Sequence, residues 1–178
     1  MVGLGNPGRK YRRTRHNAGS AAAGLILGKA RLIAAGDWPE GYVALAGQGE
    51  RHFLVMIPGV FMNNSGRAVA PVVERYKVAP GRVVVMHDDI DIPLGEVRVK
   101  RGGGTGGHLG LVSIVEALGY EGFARVRIGV GRPPAGVDPR AYVLSDFPKE
   151  EVEEYEESIA RAAEAAMEMA LGEAHGAD

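Results

Sequence analysis

The sequence contains no cysteine, which excludes disulfides, thiolate zinc sites and a cysteine nucleophile. It has no run of 18 apolar residues, so no transmembrane helix and no membrane partner are expected. No secretory leader is visible, because the chain runs directly into Gly3-Leu4-Gly5-Asn6-Pro7-Gly8. A cytoplasmic location is the expectation that fits these absences. Internal repeats and low-complexity tracts are also missing, which leaves a scaffold role without support. A net charge of only -1 argues, taken alone, against a nucleic-acid partner.

The charge that is present is unevenly placed. Residues 9–15 hold Arg9, Lys10, Arg12, Arg13 and Arg15, and no acid precedes Asp37. Residues 146–178 hold eleven acids, the last of them Glu173 and Asp178, against Lys149 and Arg161. The acidic stretch reads as a solvated face, whereas a basic face can steer a polyanion. With 178 residues the chain fits a single domain over 1–178 that buries about two-thirds of its unfolded surface. Apolar residues at 46% and charged residues at 24% are ordinary for a soluble globular protein.

Met1–Leu4 reads as the end of a short strand, clipped at its start, and Asn17–Leu32, rich in Ala, Leu and Ile, as a helix. Tyr42–Ala46 and Phe53–Ile57 form a hairpin pattern around Gln48-Gly49-Glu50. Ser65–Tyr76 is a helix with Ser65 as N-cap, Val83–Met86 a buried strand and Glu96–Arg101 an alternating one. Gly102–Gly107 is a glycine loop, Leu109–Leu118 a helix, Ala124–Val130 a strand and Lys149–Leu171 a long helix whose acidic start suits its dipole. Phe61 and Tyr76 are read as core. This order predicts an α/β fold: a three-layer α/β/α domain with a mixed, largely parallel twisted sheet and helices on both faces. Sites in such folds lie beyond the carboxyl ends of the strands, where Asn6, Asn63 and Asp88 fall.

Gly3-x-Gly5-x-x-Gly8 matches a dinucleotide fingerprint, which would make the chain an oxidoreductase. Pro7 inside the turn, the irregular basic stretch after it and the lack of an acid about 20 positions on all oppose that reading. Of five histidines (the last is His175), His16 sits in a polar turn, and a carboxylate nearby would fix its tautomer and make it a usable base. His87-Asp88-Asp89-Ile90-Asp91 supplies carboxylates at the end of a buried strand. It reads as an acidic turn or as a metal site, but side chains that alternate along an extended chain need not converge on an ion. Ser65 lacks the Gly-x-Ser-x-Gly surroundings of a nucleophile. The Gly102–Gly107 loop has two open readings: backbone N–H groups brought close to a phosphate or peptide, or a plain connector.

Together, Gly3-Leu4-Gly5-Asn6-Pro7-Gly8, Tyr11…Thr14-Arg15-His16-Asn17-Ala18-Gly19, Phe61-Met62-Asn63-Asn64-Ser65-Gly66, His87-Asp88-Asp89-Ile90-Asp91-Ile92-Pro93-Leu94-Gly95, Gly102-Gly103-Gly104-Thr105-Gly106-Gly107-His108 and the late strand Arg125–Pro133 resemble bacterial peptidyl-tRNA hydrolases, in order and spacing. The resemblance runs from about residue 2 to 171. It implies a monomeric esterase without metal or cofactor, acting on peptidyl-tRNA. By the same resemblance, His16 is the general base, Asp88 orients it, and Asn6 and Asn63 hold the peptide and ester. Tyr11 and Met62 line the cleft, His108 belongs to the glycine-loop segment, and Arg98, Lys100 and Arg127 lie near the tRNA. Leu109 stands where the family usually has asparagine, and leucine cannot hydrogen-bond a water or phosphate. A binding module without turnover is the rival reading, and a retained His16 and Asp88 count against it.

Overall fold

The computed structural model describes residues 1–172; Glu173, His175 and Asp178 lie outside them. In chain order the elements are β1 (Val2–Gly3), α1 (Ala18–Lys29), β2 (Arg31–Trp38), β3 (Gly41–Gln48), β4 (Arg51–Pro58), α2 (Ser65–Arg75), β5 (Val84–Asp89), β6 (Val97–Arg101), α3 (Leu109–Leu118), β7 (Ala124–Gly129), α4 (Pro139–Val143) and α5 (Val152–Leu171). The strands form one seven-stranded sheet in the order β2-β3-β4-β1-β5-β7-β6.

Parallel pairing is confined to the four central strands β4, β1, β5 and β7. The three flanking pairings, β2–β3, β3–β4 and β6–β7, are antiparallel. The sheet is thus mixed, as the element order predicts, with its parallel part at the centre. Period-two alternation along β5 explains the layering. Val84 and Met86 face one core with Ala22, Ile26, Ile159 and Ala163, from α1 and α5. Val83 and Val85 face a second core with Ala68, Val69, Leu111 and Ile114, from α2 and α3. Burial on both faces accounts for the unbroken apolar run of this strand. In α5, Ile159, Ala162, Ala163, Ala166 and Met169 recur at helical spacing and are buried, which turns the glutamates outward.

The structure departs from the sequence pattern at several points. The first helix stops at Lys29, and residues 31–38, including Leu32, form β2 instead. That strand pairs with β3 through a bulge near Ile33 and is exposed along almost its whole length. Ser65 does not cap α2: its buried hydroxyl donates to Met62 O at 2.7 Å and fastens the preceding 3-10 turn. Phe61 and Tyr76 are exposed, not core. The long helix begins at Val152 after a 3-10 turn over Lys149–Glu151.

Candidate active site

Asp88 lies near the carboxyl end of β5 and is only 3% exposed. His16 belongs to a 3-10 turn, Arg15–Asn17, that leads into α1. Gly19 in the first turn of that helix touches the sheet so closely that a Cβ there would collide with Met86 O. This close approach brings His16 over Asp88. The His16 Nδ1 atom is 2.9 Å and 3.0 Å from the two carboxylate oxygens. A carboxylate only accepts, so Nδ1 carries the proton and Nε2 keeps a free lone pair.

Asp88 has a second imidazole partner. His108 Nε2 lies 3.0 Å from Asp88 Oδ1. The other His108 nitrogen, Nδ1, is the N-cap of α3 and accepts from Gly110 N at 3.2 Å and Leu111 N at 3.4 Å. Those backbone donors require a lone pair on Nδ1, so the proton sits on Nε2 and is donated to Asp88. Burial alone would raise the Asp88 carboxyl, but the two histidines outweigh it and hold the group well below the usual carboxylate range. His87, the preceding residue, is buried and donates from Nδ1 to Asp88 O at 2.7 Å. Burial first, and nearby His108 second, pull its pKa down to about 3, so it is a neutral spacer between the cores and the site.

His16, Asp88 and His108 offer three ligand atoms within 4.8 Å of one another, a donor set that suits zinc in type. The hydrogen-bond pattern does not suit it. The His108 atom facing the cluster carries a proton because its other nitrogen is committed to the α3 backbone, and His16 likewise points an N–H at Asp88. Ligation would require both tautomers to reverse and the helix cap to break. The cluster is built as a hydrogen-bonded array.

Asn6 sits beside this array on the turn after β1. Asn17, next to His16, clamps its backbone: Asn6 N donates to Asn17 Oδ1 at 2.9 Å and Asn17 Nδ2 donates to Asn6 O at 3.0 Å. Asn6 Oδ1 accepts from Met62 N at 2.8 Å, which commits its carbonyl and leaves its amide N–H groups available. Met62 is buried, while Asn63 is exposed and its amide has no partner among the described residues. Tyr11 meets the exposed Phe61 edge-on at 6.3 Å.

On the other side of Asp88 a cavity of about 240 Å³ is lined by His16, His108, Lys100, Arg127, Leu109 and the glycine loop. Lys100 has no carboxylate partner among the described residues, whereas Arg127 donates to Asp89 at 2.8 Å. Arg98 lies outside the cavity lining and pairs with Glu96 at 2.7 Å on the surface. The loop is no loose connector: Arg125, 2% exposed, donates to Gly104 O at 2.6 Å and Glu121 O at 3.1 Å. Leu109 is exposed at the rim.

A sequence profile described as peptidyl-tRNA hydrolase matches residues 1–177. The chain belongs to the peptidyl-tRNA hydrolase family. Among curated members, the peptidyl-tRNA hydrolase of Mycobacterium tuberculosis (H37Rv) is 46% identical over 148 residues, which cover 83% of this chain and 78% of that one. That of Mycolicibacterium smegmatis is 43% identical over 166 residues, 93% of this chain and 87% of the relative. The crystal structure of the Acinetobacter baumannii peptidyl-tRNA hydrolase superposes with a TM-score of 0.89 at 33% identity, covering 96% of this chain and 87% of that one.

Three residues of this peptidyl-tRNA hydrolase fold escape a sequence reading. Asn17 carries the clamp on Asn6. Arg125 pins the glycine loop. Arg15, 4% exposed, is stacked between Tyr142 and Phe147, with its Cζ 4.3 Å and 4.5 Å from the ring centroids. Its guanidinium donates to Ser145 Oγ, Asp146 O and Glu151 Oε2, which fastens the residue before His16 to a segment 130 positions away. Asn17 and Arg15 both stand in the Thr14–Gly19 motif, but only spatial proximity reveals what they hold.

Proposed function

We propose that this chain hydrolyses the ester between a peptide, or an N-blocked amino acid, and tRNA, using a water activated by His16. The observation that carries the mechanism is the His16–Asp88 contact at 2.9 Å, which leaves the Nε2 lone pair unspent on a residue that lines the cavity. A water within reach loses its proton to Nε2 while its oxygen bonds to the ester carbonyl carbon. Negative charge then develops on the carbonyl oxygen. The unpartnered Asn63 amide and the free N–H groups of Asn6 are donors of the right kind for it, each worth about 10²–10³ in rate. The tetrahedral species collapses by breaking the bond to the ribose oxygen, which takes the proton back from Nε2. The products are a peptide carboxylate and a tRNA with a free terminal hydroxyl.

Asp88 keeps the tautomer and stabilises the imidazolium, and His108 holds Asp88 in turn. An ester has a good leaving group, so histidine base catalysis of about 10²–10⁴-fold suffices without a cofactor. Tyr11 and Met62 shape the peptide side. Lys100 and Arg127 face the RNA side, and Arg98 contributes at longer range. No helix among the described residues is long and apolar enough to cross a membrane. The reading is completed by a monomer working in the cytoplasm during translation.

The test is single-turnover hydrolysis of an N-acetyl-aminoacyl-tRNA in the presence of EDTA, comparing wild type with His16→Ala. A loss of two or more decades is expected. Equal rates would remove His16 as base, and a wild type that binds tRNA without turnover would make the chain a binding module.

A further inference from the structure

The cations of the segment between β1 and the His16 turn are not used by the mechanism above. Arg9, Lys10, Arg12 and Arg13 are all exposed, and none has a carboxylate partner among the described residues. Lys10 rests over the Tyr11 ring at 4.6 Å, which leaves its charge open to solvent. By contrast, Arg98 and Arg127 each spend their charge on a neighbouring acid. Lys100 in the cavity lining is also without a carboxylate, but the densest run of uncompensated cations is this segment.

The segment is held at both ends. Asn17 clamps Asn6 before it, and Thr14 and Arg15 after it are buried. Between these anchors Gly8 turns the chain at φ 102°, a conformation open to glycine at no steric cost. Tyr11 N then donates to Gly8 O and Thr14 N to Tyr11 O, at 3.1 Å and 3.0 Å. Four cations are presented on a short closed loop, with exposed Phe61 against its Tyr11. Cations beside an accessible aromatic face match a phosphate backbone with unstacked bases.

Strand order places this loop relative to the reaction. It follows β1, on one side of Asp88, while Lys100 and Arg127 lie on β6 and β7, on the other. We propose that Arg9, Lys10, Arg12 and Arg13, with Phe61, form a second RNA-binding surface, so that the tRNA is gripped on both flanks of the ester. This rests on the reading of the substrate as peptidyl-tRNA. The RNA is the constant part of every such substrate, which favours it over an acidic peptide as the occupant.

The experiment measures binding of deacylated tRNA between about 50 and 250 mM KCl. It compares wild type, a variant with Arg9→Ala, Lys10→Ala, Arg12→Ala and Arg13→Ala, and a charge-matched control. The control carries Lys29→Ala, Arg31→Ala, Arg75→Ala and Arg82→Ala, four exposed cations at the ends of α1 and α2 and the starts of β2 and β5, away from the carboxyl ends of the parallel strands. Loss of three or four phosphate contacts should flatten the slope of log Kd against log[salt] by about 2–3. Kd at 100 mM salt should weaken tenfold or more, and the control should keep the wild-type slope. Melting temperatures confirm that each variant is folded. An unchanged slope, or an equal fall in the control, overturns the proposal. So does an unchanged tRNA slope with a rate defect confined to acidic peptides, which would place the peptide on the loop. A wild type that binds tRNA through this loop yet hydrolyses nothing would defeat the hydrolase reading and leave the RNA surface standing.

Discussion

His108 joins Asp88 through one ring nitrogen and the first turn of α3 through the other, so a helix cap and a buried carboxylate share one imidazole. The two duties can be separated. His108→Ala should lose both: about 1 kcal/mol of cap energy, seen as a fall in Tm of about 2–4 °C, and a slower turnover. His108→Asn can cap the helix but reaches Asp88 less well, so Tm should recover while turnover stays low. Parallel thermal melts and single-turnover rates check this. Recovery of both in the asparagine variant would show that the Asp88 contact is idle.

Asp88→Asn removes the charge while keeping the shape. An amide presents one N–H toward imidazoles that already donate, so His16 is driven toward the tautomer with its Nε2 proton in the cleft. Turnover should fall by about 10²–10⁴ with substrate affinity little changed. Unaltered rates at matched enzyme would take Asp88 out of this role.

Asn17→Ala strips two hydrogen bonds from the backbone of Asn6 at a site where Asn17 itself is 5% exposed. Each orphaned partner costs about 1–3 kcal/mol. Urea denaturation should show a loss of that order, and KM should rise because Asn6 is released. A variant as stable as wild type would mean that water replaces the amide.

Acid weakens the fold through two buried groups. His87 is neutral in the fold, with its pKa lowered from 6.5 to about 3, so the unfolded chain binds the extra proton first. Its contribution is intact above about pH 6.5 and is lost as pH falls toward 3, at up to about 1.4 kcal/mol per unit. Asp88 acts in a lower window: its depressed carboxyl favours the fold above its unfolded value near 3.8 and loses that contribution below it. Urea midpoints at pH 7, 5.5 and 4.5 should fall steadily in wild type and less steeply in His87→Gln. Parallel lines would mean that His87 does not govern this window.

The hairpin, the buried strand β5 and helix α3 are legible because period and burial coincide in them. Strand β2 is not. Residues 31–37 are exposed on both faces, so no alternation marks them, and the Ala-Leu-Ile run before them carries a helical pattern through Leu32. Helix α4 left a usable signal, Asp138 as N-cap followed by Pro139 at the first helical position, but five residues are too few for a period. At the site, motifs single out His16, Asp88 and the asparagines as candidates, and the structure brings His16 onto Asp88. The second partner of Asp88 and the clamps by Asn17 and Arg15 depend on groups far apart in sequence, whose meeting no local pattern encodes.

The stacking of Arg15 between Tyr142 and Phe147 has a consequence for synthesis. A growing chain already carries His16, Asn17 and Asp88 when residues 142–151 have not yet been made. Until they arrive, the guanidinium beside His16 has neither its rings nor its oxygen acceptors, and the turn rests on its earlier partners alone. During its own translation this protein is itself a peptide esterified to tRNA. The full support of the turn that carries His16 is therefore completed only by a segment added 130 positions later in synthesis.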